Sequence, residues 1–231
     1  MNVKQFRYSM DNFGYLIYGE KEAAIVDGGA VDALLTFIAE NNLALKYVVN
    51  THGHQDHTVG TQALLDRTDA QYLDNRTLRA DGAVTLEDQT IRVYHTPGHT
   101  EDSISFHVEH FLIAGDTLFN GTVGNCFSGD LKGFYDSIKM LLALPDETIV
   151  YAGHDYVLDS IAFAKSVEPD NAGPDRFMET YDSAHVWSTL GEERKINPFL
   201  RFNEPAIVSY LEEKGLPVGT ELERWESVMT L

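Results

Sequence analysis

Cysteine occurs only once in this chain of 231 residues, at Cys126, so no disulfide can form within it. A single thiol fits a reducing compartment. No run of about 18 apolar residues occurs, which argues against a membrane span. The first residues, Met1 to Arg7, lack the apolar centre of a signal peptide, so we expect a cytoplasmic protein.

Basic residues are also scarce. Lysine and arginine number 17 against 36 acidic residues, which gives a formal net charge of −19. Such a field repels phosphate backbones, so we expect no nucleic-acid partner. The length suits one large domain, or one domain with an appendage. No pattern in the sequence specifies an oligomeric state.

Apolar patterning predicts strands alternating with helices. Strands are predicted at residues 14–18, 23–27, 46–50, 90–95, 103–108, 111–114 and 148–151. Helices are predicted at residues 30–42, 61–65, 131–144 and 157–166. Beyond these the chain shows helical patterns and few strand signals. We therefore predict a catalytic domain at residues 1–163 and a helical domain at residues 164–231.

Four potential metal ligands fall within six residues, at His52, His54, Asp56 and His57. Three histidines on one short loop would be costly to bury in a core. Neutral imidazole nitrogens and carboxylate oxygens are, however, what a zinc-type cation binds. The density of ligands therefore predicts a metal site on this loop.

Three further residues complete a possible ligand set, and each directly follows a glycine: His99, Asp116 and His154. Each also comes just after a predicted strand, where loops on a rigid sheet can bring polar side chains together. Five histidines and two aspartates can hold two cations, with three separate ligands each and one shared carboxylate. That arrangement leaves a position for a bridging hydroxide.

These motifs resemble the metallo-β-lactamase superfamily and, more narrowly, glyoxalase II, the hydroxyacylglutathione hydrolases. The broad likeness rests on the H-x-H-x-D-H loop. The narrower one rests on matches at residues 96–100, 115–119, 153–156, 167–171, 188–190 and 197–201. They run in order from about Asp11 to Arg201. The resemblance implies an α/β fold, an αββα sandwich with a C-terminal helical domain over the active site.

The resemblance also implies a role for each ligand. One metal would be bound by His52, His54 and His99, and the second by Asp56, His57 and His154, with Asp116 bridging both. The ions would be zinc, although the same ligands accept iron or manganese. Asp27 would support the ligand histidines from outside or simply form a turn, and Thr117 and Asp155 are further candidates for such support.

The implied reaction is hydrolysis of a small-molecule thioester of the S-D-lactoylglutathione type, as in methylglyoxal detoxification. A metal-bridging hydroxide would attack the thioester carbonyl. Tyr156 matches a family tyrosine that contacts the thiol carrier. The lysine and second tyrosine that grip glutathione in the family are replaced here by Asn125 and Phe127, and of the C-terminal basic pair only Arg224 offers a charge. We predict that Tyr156, Asn125 and Phe127 border the substrate.

Several other interpretations compete with this one. A persulfide dioxygenase of the same superfamily would use one iron, and a lactonase or β-lactamase-type hydrolase would not predict the C-terminal matches. A non-catalytic binding protein would be expected to have lost ligands. Cys126 has no histidine partner nearby in sequence, which disfavours a covalent nucleophile. The remaining histidines match no ligand position: His95, His107, His110 and His185.

Overall fold

The computed structural model describes residues 1–231. It contains the strands β1 (Asn2–Tyr8), β2 (Asn12–Tyr18), β3 (Glu22–Val26), β4 (Ala44–Val49), β5 (Gln71–Tyr72), β6 (Ala83–Leu86), β7 (Gln89–His95), β8 (Ile104–Val108), β9 (Phe111–Gly115), β10 (Ile149–Ala152) and β11 (Ser188–Thr189). The helices are α1 (Val31–Glu40), α2 (Gln55–Thr58), α3 (Thr61–Arg67), α4 (Asn75–Asp81), α5 (Leu131–Leu141), α6 (Val157–Val167), α7 (Gly173–Met178), α8 (Leu190–Ile196), α9 (Pro205–Glu213) and α10 (Glu221–Val228).

The strands form two mixed sheets. The first has the order β1-β2-β3-β4-β5, and its β3-β4 and β4-β5 pairs are parallel. The second has the order β11-β10-β9-β8-β7-β6, and its only parallel pair is β9-β10. The carboxyl ends of β4, β7, β9 and β10 are followed by residues of the predicted metal set, and that of β3 by Asp27, as the sequence indicated.

The two sheets pack face to face around a cluster of 20 buried residues. Both faces of strand β2 are apolar because both are covered. Phe13, Tyr15 and Ile17 enter this central core, whereas Leu16 packs on the opposite face of the sheet. A strand covered on both sides needs this near-continuous apolar run.

Helices cover the outer face of each sheet. On the first sheet, Leu34 and Leu64 from α1 and α3 pack against Leu16, Ile25 and Val48. On the second sheet, a cluster of 15 buried residues joins α5 and the C-terminal helices to β9 and β10. The order of layers is therefore helix, sheet, sheet, helix, and the predicted αββα sandwich is confirmed.

The C-terminal helices share their core with the rest of the chain. Trp225 of α10 is fully buried against Phe134 of α5, with ring centroids 5.6 Å apart. The predicted division at residue 163 stays a prediction, and that residue lies within α6. None of the ten helices is both long and apolar enough to cross a bilayer.

Some elements were not predicted from the sequence, namely β1, β5, β6, β11, α2 and α4. Strand β1 is an edge strand with only Phe6 buried, so it lacks the apolar alternation that marks the other strands. The strands β5 and β11 have two residues each, too short to leave a pattern. Helix α5 also ends at Leu141, three residues before the predicted end.

Candidate metal centre

Three imidazoles converge on one point in the first half of the site. His54 Nδ1 lies 2.9 Å from His52 Nε2 and 3.0 Å from His99 Nε2. His52 and His54 come from the loop after β4, whereas His99 comes from the loop after β7. This group is the predicted first metal set, and the fold brings His99 to two histidines that lie 45 or more positions earlier in the chain.

The second half of the site is built by α2 and the loop after β10. His57 Nε2 and His154 Nε2 lie 3.2 Å apart. Asp56 Oδ2 is 3.6 Å from His57 Nε2 and 3.3 Å from His154 Nε2. These three residues are the predicted second set. Asp56 is half exposed, so the second set faces solvent at this residue.

Asp116 lies between the two sets. Its Oδ2 is 3.4 Å from His99 Nε2 and 3.5 Å from His154 Nε2, and its Oδ1 is 3.3 Å from His57 Nε2. Gly153 makes this approach possible, because a Cβ there would lie 2.1 Å from Asp116 Oδ1. The structure thus places one carboxylate against imidazoles of both sets, the position that a bridging ligand requires.

Outer partners turn the imidazoles so that their inner nitrogens face the centre. The Nδ1 atom of His57 lies 3.0 Å from Asp27 Oδ2, that of His99 lies 3.0 Å from the Asn125 carbonyl oxygen, and that of His154 lies 3.2 Å from Asp11 Oδ1. Each of these partners accepts a hydrogen bond, which leaves the Nε2 lone pair free toward a cation. Acceptors of this kind commonly orient metal-binding histidines.

Asp27 is held in the left-handed region of the backbone, at φ +52°, and is almost completely buried. Its carboxylate accepts hydrogen bonds from the Thr51 backbone N–H at 2.8 Å and the Thr51 hydroxyl at 2.7 Å, besides its contact with His57. Because the Thr51 hydroxyl donates to Asp27, its oxygen can accept from His52 Nδ1, 3.1 Å away. Asp27 therefore orients two ligand histidines, and this use of a strained residue is typical of functional sites.

The charges of the site are balanced between imidazoles and carboxylates. Burial, together with the charge of His57, lowers the pKa of His52 to about 3, and burial also lowers the pKa of His99. Although burial opposes it, the charge of Asp27 and the contacts with Asp116 raise the pKa of His57 to about 11. Although burial would raise it, the pKa of Asp116 lies well below its usual value, because the imidazoles of His154 and His57 face its carboxylate. Protons thus supply positive charge to a site rich in carboxylates, and a cation would supply the same charge.

Divalent cations fit these residues. Ligand nitrogens held by one zinc ion at tetrahedral angles, with bonds of about 2.0–2.1 Å, lie roughly 3.3 Å apart. The closest contacts within the two sets, 2.9, 3.0 and 3.2 Å, are near that spacing. Asp116 Oδ1 is also buried without accepting any hydrogen bond, although an unpaired buried acceptor is costly.

The first hairpin supplies contacts that the sequence analysis missed. The Asn12 amide donates to Asp56 Oδ2 at 3.0 Å, the Tyr8 hydroxyl donates to the Asp56 carbonyl oxygen at 2.8 Å, and Asp11 contacts His154. Asp11 and Asn12 look like ordinary turn residues in the sequence. The one signal was that the family resemblance begins at about Asp11.

The remaining predicted residues lie at or near the centre in different ways. The Tyr156 ring stacks on His154, with centroids 5.0 Å apart and an interplanar angle of 6°. The exposed Phe127 ring packs edge-on against His99 at 5.2 Å. The Thr117 hydroxyl contacts Thr96, and the Asp155 carboxylate binds Arg7, so neither side chain touches a ligand. No metal-binding group includes Cys126, His95, His107, His110 or His185.

A loop between the two sets is fixed by a buried acid. The Gly121 backbone N–H donates to both oxygens of Glu193, at 3.1 and 3.0 Å, and Ser188 and Asn197 donate to the same carboxylate. Asn197 also donates to the Thr122 carbonyl oxygen at 3.0 Å. Helix α8 therefore holds the loop that carries Asn125, the acceptor for His99.

Glu193 should contribute a stabilisation of the fold that decreases as the pH rises. Burial raises its pKa from 4.5 to about 7 in the folded chain, so the folded state binds this proton more tightly than the unfolded state. The stabilisation is complete below the unfolded pKa and is lost as the pH rises through about 7, a total change of about 3 kcal/mol. The free energy of unfolding can be measured with urea between about pH 5 and pH 8. Glu193→Gln should make its dependence on pH less steep. Glu179→Gln, a control at an exposed position, should keep the wild-type pH dependence. An unchanged pH dependence in Glu193→Gln would contradict the raised pKa of Glu193.

Known families match this chain along its length. A model of the metallo-beta-lactamase superfamily matches residues 11–73 and 70–154, and a model of the hydroxyacylglutathione hydrolase C-terminus matches residues 155–229. The hydroxyacylglutathione hydrolase of Chromohalobacter salexigens is 36% identical over 225 residues, which cover 89% of this chain and 88% of that protein. The protein of the same name from Anaeromyxobacter dehalogenans is 36% identical over 221 residues, covering 88% and 87%.

Solved structures share the fold. ETHE1 from Myxococcus xanthus aligns with a TM-score of 0.73 at 27% identity, covering 100% of this chain and 90% of that chain. The BLEG-1 B3 metallo-beta-lactamase aligns with a TM-score of 0.66 at 24% identity, covering 86% of this chain and 99% of that chain, and supports the fold alone. Because the relatives and both family models agree over most of the chain, the chain belongs to the hydroxyacylglutathione hydrolase family of the metallo-β-lactamase superfamily.

Proposed function

We propose that the protein is a metal-dependent hydrolase of hydroxyacyl thioesters of a small thiol, of the S-D-lactoylglutathione type. The observation that carries the proposal is the convergence of seven ligand side chains into two sets that share Asp116. His52, His54 and His99 bind the first cation in this proposal. Asp56, His57 and His154 bind the second. Membership of the hydroxyacylglutathione hydrolase family supports the substrate class.

Two bound divalent cations, which we propose to be zinc, supply a Lewis acid for the thioester carbonyl and a hydroxide nucleophile near neutral pH. The chain itself provides orientation. Asp27, Asn125 and Asp11 fix the ring angles of three ligand histidines, and Asn12 fixes Asp56. Ligands held by packed outer partners lose little freedom when the reaction begins.

The thiol leaving group needs little assistance from acidic side chains of the protein. A cysteine-like thiol has a pKa of roughly 8.5, so it can depart as a thiolate without a strong acid to protonate it. The ligand residues His52, His57, His99, Asp116 and His154 are buried, whereas Asp56 is half exposed. We therefore propose that the substrate reaches the centre from the side of Asp56, Tyr156 and Phe127.

The proposal is tested by following thiol release from S-D-lactoylglutathione with both metal positions loaded. We expect a kcat within the ordinary enzyme range of about 1–10³ s⁻¹. Treatment with a chelator should remove the activity, and added Zn²⁺ should restore it. No thiol release from the loaded protein, or an unchanged rate after the metals are removed, would overturn the proposal.

Two histidine variants provide a matched control. His54→Ala leaves two imidazoles in the first set and should lower kcat by at least about a hundredfold. The exposed His95 contacts Arg79 and the Glu101 carbonyl oxygen, away from the centre, so His95→Ala should keep the wild-type rate. Equal rates for the two variants would contradict the proposed first set.

A further inference from the structure

A cavity of about 360 Å³ lies beside the metal centre, and its lining includes neighbours of His154 and His99 but none of the seven ligand residues. Tyr156 forms one wall and stacks on His154, and the Asn125 carbonyl oxygen on the other side contacts His99. Gly124 lies between these walls, where a Cβ would come within 2.0 Å of the Asp116 carbonyl oxygen and 3.0 Å of His99 Nδ1. A molecule in this cavity is therefore separated from the centre by little more than the ligand rings. We name it the Tyr156 cavity.

The walls of the Tyr156 cavity are mainly apolar. The loop contributes Phe119 and Val123, α6 contributes Phe163, and the C-terminal region contributes Phe199, Val228 and Met229. Asp159 is the one lining residue with a charged side chain. No lysine or arginine faces the cavity, so a carboxylate entering it would meet an acid and no cation.

Three cations of the C-terminal half are engaged in other contacts. Arg224 donates to the Asn203 side chain at 2.7 Å and to the Val218 carbonyl oxygen at 2.9 Å. Arg201 forms a two-point ion pair with Glu168, at 2.7 and 2.9 Å. Lys139 lies 3.5 Å from Glu221. Using any of these cations to bind a carboxylate would first require breaking its present contacts.

A second cavity, which borders Asp56, also lacks a lysine or arginine in its lining. It has a volume of about 610 Å³ and is lined by Tyr8, Asn12 and Asp56 among others. A thiol carrier would therefore find no cationic partner on either side of the metal centre. The net charge of −19 adds a long-range repulsion of anions.

We propose that the thiol carrier is recognised through neutral, apolar contacts in the Tyr156 cavity, so that carriers with carboxylates bind poorly. This inference rests on the proposed function and narrows its substrate class. Moving a carboxylate out of water without a charged partner is costly, whereas covering the apolar walls is favourable. Because the discrimination concerns the carrier and not the reacting carbonyl, it should affect KM and leave kcat nearly unchanged.

The test compares two D-lactoyl thioesters that differ by one methyl group, those of N-acetylcysteine and of N-acetylcysteine methyl ester. The metal-loaded protein should hydrolyse the neutral ester with a kcat/KM at least about tenfold higher, through KM. Salt near 1 M, where the Debye length is about 3 Å, should reduce the difference by raising the rate for the anion. An equal or greater kcat/KM for the anionic thioester would overturn the proposal.

A pair of charge reversals separates the local effect from net charge. Asp159→Lys places a cation in the Tyr156 cavity and should reduce the preference for the neutral thioester several-fold. Asp66→Lys, on the outer helix α3, makes the same change in net charge and should leave that preference unchanged. An equal response of both variants would overturn the assignment to the cavity. If neither thioester is hydrolysed, the proposed function fails and the carrier proposal with it. If both are hydrolysed without preference, only the carrier proposal fails.

Discussion

Replacing Asp116 with alanine is expected to lower kcat for thioester hydrolysis by roughly a thousandfold or more. The reason is its position, with carboxylate oxygens 3.3 Å from His57 Nε2 and 3.4 Å from His99 Nε2. Removing the carboxylate takes away the one group that faces both metal sets. Steady-state kinetics and the metal content of the purified variant measure the effect, and we expect fewer than two ions per chain.

Two further variants control for size and charge. Asp116→Asn keeps the shape of the side chain but not its charge, and we expect it to lose metal and activity as the alanine variant does. Asp88→Asn makes the same chemical change at an exposed turn residue and should leave both properties at wild-type values. If Asp116→Ala kept the wild-type kcat and two bound ions, the bridging assignment would be wrong.

Asp27→Ala should weaken metal binding without removing a ligand. Loss of an outer carboxylate partner typically lowers metal affinity by about 10–100-fold. The change also leaves three buried donors unpaired, on Thr51 and His57, and places alanine at a φ of +52°. We expect the free energy of unfolding to fall by about 3 kcal/mol, because each unpaired buried donor costs about 1–3 kcal/mol without full additivity. Competition with a chelator and urea unfolding measure the two effects.

Asp27→Asn separates orientation from stability. Asparagine tolerates the left-handed backbone and retains one acceptor oxygen, so it should recover much of the unfolding free energy. Its amide cannot accept from Thr51 and His57 as a carboxylate does, and metal affinity should stay low. Wild-type affinity in the asparagine variant would show that Asp27 acts on the fold alone.

The sequence predicted the fold wherever an element has a strong apolar pattern. Strands β2, β3 and β9 bury both faces and are therefore marked by continuous apolar runs. Strand β1 escaped prediction because it lies at a sheet edge, and only pairing with β2 defines it. Patterns reveal elements that the core requires, whereas elements stabilised by neighbours leave little trace in the sequence.

The candidate ligands were predictable for a different reason. Four of the seven lie within six residues, and His99, Asp116 and His154 each follow a glycine that a close approach requires, as Gly153 shows beside Asp116. The outer partners Asp11, Asn12 and Asn125 could not be assigned in this way. Their roles depend on contacts across 26 or more positions, made with common turn and loop residues.

The Tyr156 cavity was only partly predictable from the sequence. The sequence indicated that Asn125 and Phe127 replace residues that grip glutathione in the family. It could not show that α6 and α10 close the cavity with apolar side chains, nor that Arg224 is bound to Asn203. Both facts depend on how the C-terminal helices pack against the rest of the chain.

The most direct test of the metal centre is a titration of chelator-stripped protein with Zn²⁺, in which bound metal, thioester hydrolysis and oxygen consumption are followed together. We expect two ions bound per chain, hydrolysis that depends on them, and no oxygen uptake. Activity with a single bound iron, accompanied by oxygen consumption and no release of thiol from the thioester, would contradict this expectation.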